Sequence, residues 1–280
     1  MKFSIITPVF NAVETIERTI LSVVSQEIES ELEYIIVDGG SRDGTLEVIN
    51  KYLGRIDILI SEKDKGVYDA MNKGISRATG DIIGIINSDD SYNDGALKIV
   101  EKTLTETEED SIIYSPIDNY YEGKYLHTFI PGTLENLVFK FTINHPSCFV
   151  KKSVYELIGL FDLSYSIAAD YDFIVRAYTS GVKFRYVETP LVSYSLDGMS
   201  GKQINKFKQI RESWRVGSKI TRQASENLEA RRRLFYVNWL LKELTTFPIK
   251  RFLNPPLTRK LKRLVREKIG SFPSDKYGSW

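Results

Sequence analysis

The sequence predicts an α/β protein: a mostly parallel sheet with helices on both faces, extended at its C-terminal end by helices of a different character. Three observations carry this. Short apolar runs of strand length alternate with segments of helical periodicity through the first 115 residues. Polar clusters stand at the carboxyl ends of three of those strands. The formal net charge of +1 is a cancellation: residues 1–200 hold 18 basic and 31 acidic side chains (net −13), and residues 201–280 hold 20 and 6 (net +14).

The elements follow in order. Phe3–Val9 reads as a buried strand that Pro8 brings to an end. Glu14–Gln26 carries Ile16, Ile20, Val23 and Val24 at helical spacing. Glu33–Val37 is a strand running into Asp38, Thr45–Tyr52 a helix, and Ile56–Ile60 a strand. Val67–Ala78 is a helix closed by Gly80. Ile82–Ile86 is a strand running into Asn87-Ser88-Asp89-Asp90, Gly95–Thr107 a helix, and Ile112–Ser115 a strand. After residue 116 the pattern loosens. Tyr120, Tyr121, Tyr125 and Phe129 suggest a hairpin or edge strands; Tyr171–Thr179 is a helix, followed by strands Lys183–Val187 and Leu191–Tyr194. From Lys202 a long helical stretch puts Phe207, Ile210, Trp214, Ala224 and Leu228 on one stripe, continuing through Leu241 and Leu244 until Pro248 ends it. A last helix, Leu257–Ile269, has one apolar and one basic face.

Composition bounds the class. A chain of 280 residues holds one large domain, or one domain with an appendage. The division expected is 1–200, with halves 1–115 and 116–200, followed by 201–280. A hydrophobic fraction of 42% excludes disorder of the whole chain. Cys148 is the one cysteine, so an intrachain disulfide is excluded and a reducing compartment fits. No apolar run reaches the roughly 18 residues of a spanning helix. A cytoplasmic protein, soluble or peripheral on the inner face of a membrane, is expected.

The strand-end clusters carry the chemistry. In open α/β sheets ligands bind outside the carboxyl ends of the strands, so these clusters should share one crevice. Asp89-Asp90 offers hard oxygens suited to Mg²⁺ or Mn²⁺, which bind through one or two carboxylates plus substrate phosphates. A solvated turn capping the next helix is the other reading, and it stays open here. Asp38, before Gly39-Gly40-Ser41, can accept a hydrogen bond from a base imide, guanine or ribose hydroxyl. The two glycines lack the spacing of a dinucleotide fingerprint. In Thr7-Pro8-Val9-Phe10-Asn11, Phe10 can offer a stacking face or fill core.

These segments, together with Asp64-Lys65-Gly66-Val67-Tyr68-Asp69-Ala70-Met71-Asn72-Lys73-Gly74, resemble family-2 glycosyltransferases of the GT-A fold across residues 3–95. His145-Pro146-Ser147, the run Ala169-Asp170-Tyr171-Asp172 with Arg176, and Gly198-Met199-Ser200 are similar to the family's acceptor segment and closing loop. The resemblance implies a metal-dependent, inverting transfer of a hexosyl or N-acetylhexosaminyl unit. The donor would be a nucleotide-sugar, most often a UDP-sugar, and the acceptor a saccharide or lipid-linked hydroxyl in cell-surface glycan synthesis. It implies that Pro8 and Phe10 line the base site and Asp38 takes the imide. Asp89 would reach the ribose or the metal shell, Asp90 would hold Mn²⁺ or Mg²⁺, and Lys73 would lie near the phosphates. His145 would stand on the acceptor side.

The resemblance makes Asp170 the general base. An acceptor hydroxyl is a weak nucleophile, and a carboxylate must take its proton as attack proceeds. The family usually has Glu before this Asp, and here Ala169 stands there, which keeps Asp172 in contention. Asp172 is four residues from Arg176 and suited to pair with it. Two other functions stay open: a nucleotidyltransferase that forms sugar nucleotides, and a non-catalytic nucleotide-sugar binding module. The first wants a Gly-rich basic loop after the first strand, and Asn11-Ala12-Val13-Glu14 supplies none.

The tail carries a second expectation. Residues 249–269 hold eight basic side chains against Glu267, the composition of an interfacial amphipathic helix on an anionic membrane. Packing on the catalytic domain, or on a second copy in a homo-oligomer, is the alternative. Nucleic acid is not expected, because residues 1–200 are net acidic and the tail has no recognised motif.

Overall fold

A computed structural model describes residues 1–105, 111–197, 206–221 and 226–250. The most apolar strands form its centre. β1 (Lys2–Val9) pairs in parallel with β2 (Glu31–Asp38) along its whole length, from Lys2 opposite Glu31 to Val9 opposite Asp38. The helices α1 (Ile16–Val24) and α2 (Thr45–Asn50) make the crossovers that parallel strands require. β3 (Ile58–Ser61) lies beside β2; after α3 (Val67–Arg77), β4 (Ile82–Ile85) returns to the other side of β1. Beyond β5 (Ser91–Tyr92) and α4 (Ala96–Thr105), β6 (Ser111–Tyr114) reaches the same sheet.

The second half completes this sheet and adds a smaller one. β7 (Ile117–Tyr121) and β8 (Lys124–Phe129) form the expected hairpin. β9 (Phe149–Lys151) then inserts antiparallel between β4 and β6, followed at once by α5 (Lys152–Ile158). Neither is legible in the sequence: a three-residue strand has no period, and no Gly or Pro separates it from the helix. After α6 (Ala169–Thr179), β10 (Lys183–Tyr186) closes the seven-stranded order β10-β6-β9-β4-β1-β2-β3. β11 (Val192–Ser195) joins the second sheet, β5-β11-β7-β8.

Alternation along the strands divides the core. Ile6, Ile35, Val37, Ile83 and Ile85 face one side, packed with Met71 of α3, Phe173 of α6 and Val216. Ile5, Tyr34, Ile36 and Ile82 face the other, packed with Ile20 of α1 and Val100 of α4. Pro8 does not end β1 as expected: it is buried within it, opposite Val37. The Ile6 carbonyl faces β4, accepting from the Ile86 N–H, and Pro8 faces the same side two residues on. The β1–β4 ladder has stopped at Ile6 opposite Ile85, so a missing donor there breaks no bond.

The C-terminal helices are α7 (Lys206–Thr221) and α8 (Glu226–Lys250). Val216 of α7 belongs to the main core, so the change of composition near residue 200 is not a gap in packing. Ile210, Phe235 and Tyr236 form a smaller cluster with Val138 and Phe139. Arg232 is buried there: it pairs with Glu229 at 3.0 Å, donates to the Trp214 carbonyl at 2.9 Å, and lies 3.9 Å from the centre of the Trp214 ring. The expected apolar stripe stops short, because Leu241 and Leu244 are 53% and 54% exposed. Pro248 does not end the helix either; α8 runs to Lys250, and a proline this near the end removes only one late hydrogen bond. The Gly198–Ser200 loop and the basic helix 257–269 lie outside the described residues.

Candidate active site

β4, β1 and β2 are neighbours, so the polar clusters that follow them fall side by side. The loops after β1 and β2 are laced together. The Asn11 N–H donates to Ser41 Oγ at 2.8 Å, and the Arg42 N–H donates to Asn11 Oδ1 at 2.9 Å. Asn11 takes a left-handed φ of 48°, a conformation asparagine tolerates better than most residues. This turn leaves Phe10 60% exposed at the mouth of the crevice, while Pro8 lies buried beneath it.

Asp38 is inside the β2 turn and not open to a ligand. It has no exposed surface, and its carboxylate accepts from the N–H groups of Gly40 and Ser41 and from Ser61 Oγ at 2.7 Å. Its oxygens build the loop, where the sequence led us to expect them on the imide. The accessible carboxylate here is Asp64. A Cβ at Gly39 would stand 2.4 Å from Asp64 Oδ2, so glycine is required for Asp64 to lie over the loop. Asp64 is half-buried and is anchored by the Gly66 N–H on Oδ1 at 2.8 Å.

The two aspartates after β4 also divide. Asp90 has no exposed surface; it accepts from the Ser195 N–H at 2.9 Å on one oxygen and from Asn87 Nδ2 at 3.0 Å on the other. Burial and the neighbouring Asp89 charge push its carboxyl well above the usual range. It ties β4 to β11, where the sequence led us to expect a metal ligand. Asp89 is half-buried, and among the described residues no other side chain hydrogen-bonds its carboxylate. Its backbone is clamped by α1: Arg18 donates to the Asp89 carbonyl at 2.6 Å, and Thr19 Oγ1 to the Asp90 carbonyl at 2.6 Å. A single reachable carboxylate is a fitting donor for Mg²⁺ or Mn²⁺, which take their remaining ligands from phosphate oxygens and water. Among the described residues no group of three His, Cys, Asp or Glu side chains could hold an ion unaided.

Asp170 sits in the first turn of α6, partly exposed. Oδ1 accepts from the Tyr171 N–H at 2.8 Å and from the Tyr68 hydroxyl of α3 at 3.0 Å. Tyr68 also donates to the Ile167 carbonyl at 2.8 Å, so one hydroxyl joins α3 to the start of α6. Desolvation raises the Asp170 carboxyl to about 6, with the nearby Glu212 charge adding to the rise. Asp172 is different. It is wholly buried and paired with Arg176 at 2.9 Å and with Lys219 of α7. The four-residue spacing to Arg176 is therefore a structural ion pair.

Lys73 is paired with Glu62 at 2.8 Å and also donates to the Lys63 carbonyl, tethering α3 to the segment after β3. His145 is 5% exposed and packs edge-on against Phe161, with ring centres 5.3 Å apart. Burial lowers its imidazole to about 4, leaving it neutral near pH 7.

The family model for glycosyl transferase family 2 matches residues 4–156. The chain belongs to glycosyltransferase family 2. The PGL/p-HBAD biosynthesis glycosyltransferase of Mycobacterium bovis is 31% identical over 230 residues, covering 78% of this chain and 87% of that protein. Among solved structures, S. aureus TarS 1–349 in complex with UDP-GlcNAc is similar over 95% of this chain and 81% of its own, with TM-score 0.64 and 19% identity. The Pyrobaculum calidifontis mannosyltransferase PcManGT in complex with GDP-Man and Mn²⁺ covers 98% and 82%, with TM-score 0.66 and 15% identity. At these identities the two structures show the fold, which is GT-A.

As a family-2 glycosyltransferase the chain carries three polar strand ends side by side, and Tyr68 of α3 links the first half to Asp170 of the second. Sequence reading missed the parts that come from elsewhere. Tyr68 is an unremarkable aromatic at the start of α3, Arg18 one of several exposed helix cations, and Glu212 one acid in a basic helix. Only Asp64 left a trace: Gly39 is a glycine with no positive φ to require it, and so marks a close approach.

Proposed function

We propose that this enzyme moves a sugar from a nucleoside-diphosphate donor, a UDP-sugar, to an acceptor hydroxyl with inversion, and that Asp170 is the general base. The observation that carries this is the environment of Asp170. It is a partly exposed carboxyl raised to about 6, with Oδ1 fixed by Tyr68 and the Tyr171 N–H. Neither bond is to Oδ2, which stays available for an acceptor proton. A base poised near working pH is ionised in use and still basic enough to take that proton. With no second carboxylate nominated as nucleophile, a single displacement is the reading that fits.

The donor half follows from accessibility. Phe10 stacks on the base, Asp64 accepts its imide N–H, and Asp38 with Gly39–Ser41 shapes the floor beneath. Asp89 holds Mg²⁺ or Mn²⁺ against the diphosphate; when bound, such an ion stabilises the charge that develops on the leaving group. The solved neighbours named for UDP-GlcNAc and for GDP-Man with Mn²⁺ support this choice of donor and metal. The acceptor is a saccharide or lipid-linked hydroxyl, and the basic tail 249–269 docks the enzyme on an anionic membrane near it.

The test is a donor screen with Mn²⁺ or Mg²⁺, scored by release of nucleoside diphosphate. Release dependent on acceptor, and lost in Asp170→Asn, is expected. Pyrophosphate release from a nucleoside triphosphate and a sugar phosphate would overturn the reading.

A further inference from the structure

We infer that Glu212, on α7, is a positioning residue for the transfer: it holds the segment 166–168 and, through it, Asp170. The inference rests on Asp170 being the base. Glu212 is 3% exposed although it is an acid in a strongly basic stretch of chain. Its carboxylate accepts from three successive backbone N–H groups: Ser166 at 3.1 Å, Ile167 at 2.9 Å and Ala168 at 3.1 Å, all on Oε2. Oε1 accepts from the Ser166 hydroxyl at 3.0 Å. Ala168 is the cap residue of α6, so Glu212 accepts from another helix the cap residue's own N–H, the bond that the third helical residue makes in a capping box.

The consequence for Asp170 is geometric first. Ile167 accepts from the same Tyr68 hydroxyl that binds Asp170 Oδ1. Glu212, the 166–168 backbone, Tyr68 and Asp170 thus form one continuous hydrogen-bonded chain. Removing the Glu212 acceptor leaves three backbone donors without a partner at the point where the base is set. The second consequence is electrostatic. No described Lys or Arg pairs with Glu212: Lys219 is held by Asp172, and Arg215 lies over the Tyr165 ring at 4.7 Å. The groups facing Asp170 are the Tyr68 hydroxyl from α3, the Cys148 thiol after the 145–147 turn, and Glu212 from α7. After desolvation, Glu212 adds to the rise of the Asp170 carboxyl, which makes Asp170 a stronger base.

The full-length enzyme with Glu212→Gln is the test, assayed across pH 5–8 beside Asp170→Asn. Calorimetric binding of UDP is expected to stay within about twofold of wild type, while kcat falls about 10- to 100-fold. The acid limb of kcat should move to lower pH, because a like charge has been removed. Glu212→Asp keeps the charge on a shorter stem, so its limb should stay near the wild-type position and its kcat should fall less. A limb that does not move in Glu212→Gln overturns the inference, since a purely structural residue would lower kcat alone. Should Glu212→Gln fail to fold, wild-type kcat in Glu212→Asp overturns it instead. Turnover surviving in Asp170→Asn would overturn the base reading itself, and is distinguishable from either result.

Discussion

At the scale of single residues, the site is decided by which carboxylates remain reachable. Asp38, Asp90 and Asp172 are each fully buried and engaged by hydrogen bonds or ion pairs, whereas Asp64, Asp89 and Asp170 stay part-exposed. Asp170→Asn should lower kcat by about 10²- to 10⁴-fold with donor binding retained, as loss of a general base does. The same substitution should stabilise the fold. Asn keeps an Oδ1 that can accept from both Tyr68 and the Tyr171 N–H. The Asp170 carboxyl, raised from 3.8 to about 6 in the folded protein, makes folding costlier once it ionises. About one pH unit below 3.8 the group is neutral folded or unfolded, and no penalty exists. The penalty grows as pH rises from 3.8 to about 6 and is complete above, at up to about 3 kcal/mol by the shift. Thermal midpoints of the two proteins should therefore coincide at about pH 3 and separate above about pH 6; equal midpoints at about pH 7.5 would contradict this. At Gly39, alanine should weaken UDP binding about tenfold, as Asp64→Asn should, from the loss of one charge-assisted hydrogen bond. Calorimetry of the double variant should show no further loss, because both changes remove the same carboxylate.

At the scale of elements, α6 is held by its neighbours more than by its own caps. Asp172 joins it to α7 through Lys219, and Arg176 reaches the carbonyls of Ile158 and Leu160 beyond α5. Asp172→Asn should destabilise by about 3 kcal/mol, the low end for breaking a buried ion pair. The reason is that the partner cations keep 24% and 38% exposure and can be rehydrated. Urea melts measure it; a loss under 1 kcal/mol would mean the pair is not a lock. The elements themselves were largely legible. Strands such as Ile82–Ile85 and helices such as Val67–Arg77 announce their period in sequence. β9 and α5 did not, because a short strand that is buried by insertion between two others owes its state to its neighbours and not to its own pattern.

At the scale of the molecule, the split charge has two physical homes. The acidic part is residues 1–200, in which Asp64, Asp89 and Asp170 stay part-exposed. The basic part is divided: α7 packs on the catalytic core, and residues 251–280 follow α8. Deleting 251–280 should leave turnover with a soluble acceptor within about twofold and abolish sedimentation with vesicles containing anionic lipid, given about 1 kcal/mol per basic residue at such a surface. Sedimentation equal to that of the full chain would remove the docking role. No described helix is long and apolar enough to cross a membrane.

Local periodicity in the sequence marks β1, β2, β3, β4 and β6, the helical crossovers between them, and the three polar strand ends, but not β9. Those features rest on local periodicity and on residues adjacent in the chain. The sequence also marked Asp89 and Asp170, though not Asp64, among the part-exposed carboxylates. Only the tertiary structure decided which of them face a ligand. Asp89 and Asp90 are neighbours of one type, and the difference between them is a Ser195 N–H arriving 105 residues later. Asp170 and Asp172 differ because Lys219 and Glu212 reach them from α7, about 40 residues further along the chain. Burial and hydrogen-bond partners are properties of packing between distant segments, so no window of sequence contains them.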